Sequence, residues 1–201
     1  MKKVARTSRT KSGSFISGIE DAIISQDLEE ITRLLKENEG DTFLIACAFH
    51  QAVGRNFPDV VRHFVKLGIS IDTPDPVFLE TPLMHAIRNN RDGLVKFLIS
   101  EGADVNYTIR NNGQTPLHVA VSSPKETAFS TKILKYLLTV HYIKLNVYNN
   151  EGRTPLMIAI KHGRDEAVGC SHKCRRGCAL AHAALWLYNS TSVFRHVQPL
   201  P

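Results

Sequence analysis

Gly113-Gln114-Thr115-Pro116-Leu117-His118-Val119-Ala120-Val121 decides the fold, because the chain repeats it. Near-copies stand at Glu80-Thr81-Pro82-Leu83-Met84-His85-Ala86 and at Gly152-Arg153-Thr154-Pro155-Leu156-Met157-Ile158-Ala159, with a weaker copy upstream at Thr42-Phe43-Leu44-Ile45-Ala46-Cys47-Ala48. The four threonines are 39, 34 and 39 residues apart. Each copy is followed by a second apolar run, such as Leu94-Val95-Lys96-Phe97-Leu98-Ile99, and then by a turn such as Glu101-Gly102-Ala103-Asp104-Val105-Asn106.

The chemistry of the unit follows from its residues. A threonine ahead of a proline caps a helix: the hydroxyl accepts from a free backbone N–H, and the proline gives up only a donor that has no intrahelical partner. Helices therefore start at Pro82, Pro116 and Pro155. Leu83, Ala86 and Ile87, like Leu117, Ala120 and Val121, recur at three- and four-residue spacing and form one apolar stripe, in which the alanines let helices approach closely. After a short polar break Leu94, Val95, Leu98 and Ile99 begin a second, antiparallel helix that Gly102 ends in a left-handed conformation. One such pair cannot bury both faces, so pairs must stack.

These motifs resemble the ankyrin repeat, whose period is about 33 residues. The resemblance covers about four to five repeats over residues 17–168 with degenerate ends. It implies an all-α ankyrin-repeat solenoid of stacked antiparallel helix pairs with projecting β-hairpin loops. The expected organisation is a disordered basic arm at 1–14, the repeat domain at 15–168, and a divergent cysteine-bearing tail at 169–201 that holds a possible capping helix around Ala179–Tyr188.

Along the chain, residues 15–38 form an amino-terminal capping pair, with Ile19, Ala22 and Ile23 on one helix and Asp27 opening the next. In the second unit the stretch from His50 to Pro58 inserts about five residues, which the pattern places in the loop joining the two helices. Cys47 occupies a small-alanine position and reads as a packed hydrophobe rather than a nucleophile. Val77-Phe78-Leu79 is an apolar trio at a normally polar hairpin tip, where a contact surface and local packing are both open readings. A second insertion, around 122–127, falls at the corresponding site of the fourth unit, so both loops should project from one side.

Composition sets the remaining bounds. The 201 residues are 43% hydrophobic and 22% charged, with no apolar run of about 18 residues, so no membrane span is expected. The start of the chain is basic but leads into Ser and Gly rather than an apolar core, which argues against a secretory signal. A cytoplasmic or nuclear setting is the expectation, with the four cysteines reduced. The Asn106-Tyr107-Thr108 and Asn189-Ser190-Thr191 matches are then chance glycosylation motifs. Of the 25 basic residues five lie within the first 11 positions, so much of the net charge of +6 is a basic arm. Thr7, Ser8 and Ser12 offer phosphorylation sites there.

No catalytic residue, metal or cofactor is expected. Gly-x-Ser-x-Gly, a phosphate loop and His-Glu-x-x-His are all missing, and the resemblance makes His118 a structural imidazole. Cys170, Cys174 and Cys178 with His172 or His182 could assemble a zinc site, but Gly177 interrupts a helix there and no supporting carboxylate lies in 169–201. The resemblance instead implies an adaptor or scaffold that binds a protein on the concave face of hairpin tips and inner helices. That face carries Val77, Phe78, Glu80, Arg88 and Asn89 from the third unit. The fourth contributes Asn111, Asn112 and Gln114, together with Ser122 and Ser123, and the fifth Asn150, Glu151, Arg153, Lys161 and His162. A partner with acidic and apolar anchors would suit it. The alternatives are a nucleic-acid or anionic-surface binder using the arm and tail, and a substrate adaptor of a ubiquitin ligase, although the carboxy-terminal tail does not match a recruitment box.

Overall fold

A computed structural model describes the backbone of residues 4–122 and 131–162 and the side chains of 15–122 and 132–162. The described residues form helices α1 (Val4–Ser25), α2 (Leu28–Glu37), α3 (Thr42–Arg55), α4 (Pro58–Lys66), α5 (Pro82–Arg88), α6 (Asp92–Ser100), α7 (Pro116–Ser122), α8 (Thr131–Thr139) and α9 (Pro155–Lys161), with no strand among them. The fold is an all-α repeat of the solenoid type. The chain divides into two compact units between Asp104 and Val105.

In the first unit α1 pairs with α2, α3 with α4 and α5 with α6, while α1, α3 and α5 pack side by side. We call α1, α3 and α5 the inner helices and α2, α4 and α6 the outer ones. The core is the apolar stripe of each: Ile19, Ala22 and Ile23 on α1, Phe49, Ala52 and Val53 on α3, Leu83, Ala86 and Ile87 on α5. Phe49 stacks on Phe64 of α4 with centroids 5.5 Å apart, and both rings are fully buried. Burying such aromatic rings is among the largest single contributions available to a small helical unit. In the second unit α7 packs on α8 and α9, with Leu117, Val121, Leu134, Leu137, Ile158 and Ala159 buried.

Helix starts follow the expected chemistry. The Thr81 hydroxyl accepts from Met84 N–H at 3.4 Å and that of Thr154 from Met157 N–H at 3.3 Å, ahead of Pro82 and Pro155. Asp27 caps α2 by accepting from the N–H groups of Glu29 and Glu30. In the weak copy the cap is Asp41, which accepts from Leu44 N–H at 3.1 Å, so Thr42 is the first helical residue rather than the cap.

Helix ends separate the two layers. Inner helices α1, α3 and α5 turn at Gln26, Asn56 and Asn90, all in left-handed backbone with φ of 57°, 62° and 57°. Each turn closes with the same pair of bonds, as in Asn56 N–H to Val53 O and Phe57 N–H to Ala52 O, the Schellman arrangement. Outer helices α4 and α6 make the same turn on Gly68 and Gly102.

Two features differ from expectation. The residues inserted after His50 do not form a loop: α3 runs 14 residues against 7 for α5, with its end at Asn56. From cap to left-handed turn is fifteen residues in α3 and nine in α5, so six extra residues lengthen the helix by about 9 Å. Nothing between Asp41 and Asn56 breaks a helix strongly, and Phe49, Ala52 and Val53 give the added length buried contacts. Likewise α1 extends back to Val4, through most of the segment expected to be a disordered arm. No proline interrupts it, and Phe15, Ile19, Ala22 and Ile23 anchor its second half. The second insertion (123–130), the three-cysteine tail with its possible zinc site and capping helix, and the side chains of Thr7, Ser8 and Ser12 lie outside the described residues.

Candidate functional site

The candidate surfaces, one in each unit, are built on the loops that precede the Thr-Pro caps. In the first unit Asp75 organises one of them. Its N–H donates to Glu80 O and its carbonyl accepts from Leu79 N–H, both at 2.8 Å. Its carboxylate Oδ1 accepts from the N–H groups of Val77 and Phe78 at 2.8 and 2.7 Å. With those amides held inward, the Val77 and Phe78 side chains stand out, each 69% exposed. Leu79 completes the turn at φ 59°, in left-handed backbone that costs a side-chain-bearing residue about 1 kcal/mol or more. Behind the loop Glu80 pairs with the Arg88 guanidinium through two hydrogen bonds, and Asn89 Nδ2 donates to His85 O.

The second unit carries two such loops. Ile109 N–H donates to Gln114 O at 2.9 Å and Gly113 N–H to Ile109 O at 2.8 Å, the same two bonds as in the 75–80 loop 34 residues earlier. The third is tighter: Asn149 N–H donates to Arg153 O and Gly152 N–H to Asn149 O, while Asn149 Oδ1 accepts from the N–H groups of Glu151 and Arg153. Asn150 ties these loops together, giving its Nδ2 to Asn111 O and its N–H to Asn112 O. Asn112 Oδ1 accepts from Gln114 N–H. Thus Asn112 and Asn150 spend polar groups on the fold, whereas Asn111, Glu151, Lys161 and His162 have exposed side chains, and Arg153 pairs with Glu151 at 2.6 Å. Ser122 is half-buried and its hydroxyl donates to His118 O; Ser123 lies outside the described residues.

His118 is fully buried beneath this surface. Its Nδ1 accepts from the Thr115 N–H and hydroxyl, so the proton sits on Nε2, which donates to Arg153 O at 3.0 Å. Burial holds its pKa below the usual histidine value, partly offset by that carbonyl. Both ring nitrogens are thereby engaged in tying the Thr-Pro cap to the next loop, a structural assignment.

In the first unit a second histidine arrangement was not legible from the repeat. His50, which the sequence places in an insertion, is buried on α3 and donates Nε2–H to Thr73 O at 2.8 Å. Its ring stacks on His85 of α5 with centroids 5.6 Å apart, and the two Nδ1 atoms are 3.4 Å apart. With Nε2 of His50 carrying the proton, its Nδ1 accepts from that of His85. Burial is the main cause holding both below the usual histidine value. Cys47 is only half-buried; burial, reinforced by Asp75 and Asp41, pushes its thiol up, away from nucleophilic character. Among the described residues no cluster of three or more His, Cys, Asp or Glu side chains is arranged to hold a metal, and no helix is long and apolar enough to cross a membrane.

The family model described as ankyrin repeats (3 copies) matches residues 49–138 and 109–170. The putative ankyrin repeat protein FPV031 of fowlpox virus is 37% identical over 110 residues, covering 54% of this chain and 30% of its own length. Phosphocholine transferase AnkX of Legionella pneumophila is 31% identical over 142 residues, 70% of this chain and 14% of that protein. Human transient receptor potential cation channel subfamily A member 1 is 36% identical over 89 residues, 44% of this chain and 7% of that protein. The chain spans less than a third of the length of each of these relatives.

Proposed function

The chain belongs to the ankyrin-repeat family, and on that premise we propose that it is a non-enzymatic adaptor or regulator that binds a protein partner through its hairpin tips and inner-helix ends. Ankyrin repeats generally mediate protein–protein interactions. The observation that carries the reading is the 75–80 loop, a pre-built turn holding two large apolar side chains in solvent beside an Arg–Glu pair. Exposed aromatic and arginine side chains on a rigid frame are the usual energetic centres of protein interfaces. In the second unit the corresponding groups are Asn111, Gln114, the Glu151–Arg153 pair, Lys161 and His162.

The name of AnkX states a transferase activity; that activity is its own and extends over a far longer chain. For this chain a binding role is favoured because the titratable groups beneath the loops are engaged in the fold. The proposal includes an intracellular setting, cytoplasm or nucleus, on the sequence grounds given above.

The test is affinity capture with the whole chain beside a variant carrying Phe78→Ala, Arg88→Ala, Arg153→Ala and Lys161→Ala, after both are shown to melt cooperatively. Partners identified on the first and lost on the second, then confirmed by direct titration of the purified partner, are the expected outcome. Undiminished capture by the variant overturns the surface assignment. Binding that instead falls steeply with salt and is displaced by added nucleic acid favours the nucleic-acid alternative.

A further inference from the structure

A cavity opens beside the lengthened helix α3 in the first unit, and Gln51, Gly54 and Arg55 from its added length are among the lining residues. Its volume is about 590 Å³, within the range of built ligand sites. Phe15, Ile16 and Ile19 of α1 and Leu44 and Ala48 of α3 make its apolar wall, Ile16 exposed and the others nearly fully buried. The charged groups on its lining are Glu20 of α1, Asp75 of the loop and Arg55 of α3. The lining therefore carries two carboxylates against one guanidinium.

Both carboxylates are positioned yet incompletely used. Gln51 Nε2 donates to Glu20 Oε1, and the Val77 and Phe78 N–H groups converge on Asp75 Oδ1. Among the described residues the second oxygen of each accepts no hydrogen bond. The remaining polar lining is Cys47, His50 and His85, all uncharged near neutral pH because burial opposes their charged forms. An apolar wall with open carboxylate oxygens is complementary to an aliphatic stem that ends in a cation.

From this geometry we infer that the cavity between α1 and α3 is a docking site for a long basic side chain, arginine or lysine, of a partner protein. Its stem lies along Phe15, Ile19, Leu44 and Ala48, and its cation meets Asp75 and Glu20. The inference rests on the protein-binding reading above and shares with it only Asp75, whose Oδ1 also holds the 75–80 loop. It also carries a pH signature. The charged groups that act on the two imidazoles are Asp75 and Glu80 on the loop and Arg88 on α5, while Glu20 on α1 and Cys47 and Arg55 on α3 share the cavity lining with them. Protons taken up by His50 and His85 on acidification add positive charge to the same lining and expel a cation.

The experiment titrates the whole chain with fluorescent pentapeptides Gly-Leu-X-Leu-Gly, where X is arginine, lysine, norleucine or glutamate. Arginine and lysine probes are expected to bind at least about 10-fold more tightly than the other two. Glu20→Gln and Asp75→Asn, each of which keeps the acceptor oxygen of its present hydrogen bond, should reduce that preference to less than about 3-fold without changing the melting temperature appreciably. The basic probes should weaken as the pH is taken down below the ordinary histidine value of about 6.5, and norleucine should not. No binding up to about 1 mM, equal binding of norleucine or glutamate, or a preference that survives both substitutions overturns the inference. Failed probe binding with capture still lost in the Phe78/Arg88/Arg153/Lys161 variant overturns this site alone; the converse result overturns the surface assignment alone.

Discussion

The loop at 75–80 and the loop at 109–114 have the same backbone and almost nothing else in common. Both are closed by the same two bonds, and both turn through left-handed backbone at the fourth residue after the first donor, Leu79 with φ 59° and Gly113 with φ 70°. One has an apolar exposed tip hung on the Asp75 carboxylate. The other is anchored by buried Ile109 and has the polar loop around Asn150 laid against it. Gly152, with φ 68°, turns the tighter 149–153 loop and has no heavy atom within 4 Å of the site its Cβ would occupy. Backbone bonding therefore sets the loop's shape, while the residue at the left-handed position records what lies next to it.

Substitution at these positions separates conformation from crowding. A Cβ at Gly113 would stand 2.6 Å from Asn150 Oδ1, 2.8 Å from Asn150 N and 3.1 Å from Asn149 Cα, two of them backbone atoms. Gly113→Ala is expected to cost about 2–4 kcal/mol, combining left-handed strain with overpacking, as a fall in the urea midpoint at unchanged slope. A loss below about 1 kcal/mol would show that the 149–153 loop is not held against it.

Acidification compares the histidines under the loops. Burial lowers the pKa of His50, His85 and His118 in the folded state, so their contribution is present in full above the unfolded value of about 6.5. As pH falls below that value the unfolded chain binds protons first, and stability declines by up to about 1.4 kcal/mol per pH unit for each histidine. Chemical denaturation at pH 7.5, 6.0 and 5.0 should show that decline, and His118→Met, the residue at the matching positions 84 and 157, should make it shallower. An unchanged slope would mean His118 is not held neutral.

Gly152→Ala, which meets only the backbone preference, should cost about 1 kcal/mol. The smallest effect is Leu79→Gly. It relieves the left-handed strain but gives the unfolded chain more freedom, so a gain of about 0.5 kcal/mol is expected. A clear loss would instead assign Leu79 a packing role that outweighs its strain.

The sequence displayed what depends on residue type and spacing. Thr-Pro starts, apolar stripes, Asp27 as a cap and the glycine turn after α6 were all legible, since each is a local rule with few alternatives. The left-handed state of Leu79 was not, because no property of leucine favours it; only the backbone pairing of Asp75 with Glu80 imposes it. The cap at Asp41 was obscured by an adjacent Thr42 equally able to cap. The six additional residues of α3 could have formed loop or helix, and burial of Phe49 and Val53 decided between them. His50 and His85 lie 35 residues apart, and their meeting depends on α3 packing on α5, which no local pattern encodes. On the candidate surface the sequence did not reveal that Asn112 and Asn150 are occupied in joining two loops, because that depends on one loop lying against the other.

The common turn at the ends of α1, α3 and α5 gives this architecture a particular route for change. The left-handed residues 56 and 90 stand 34 positions apart although α3 carries six extra residues, so the spacing from that turn to the next is kept when length is added ahead of residue 56. Extra length within one inner helix can thus bring new residues, here Gln51, Gly54 and Arg55, to a cavity lining while the spacing of the turns that follow is kept. New binding specificity in such a chain need not arise by altering the repeat; it can be grown at the open end of a helix and discarded as easily.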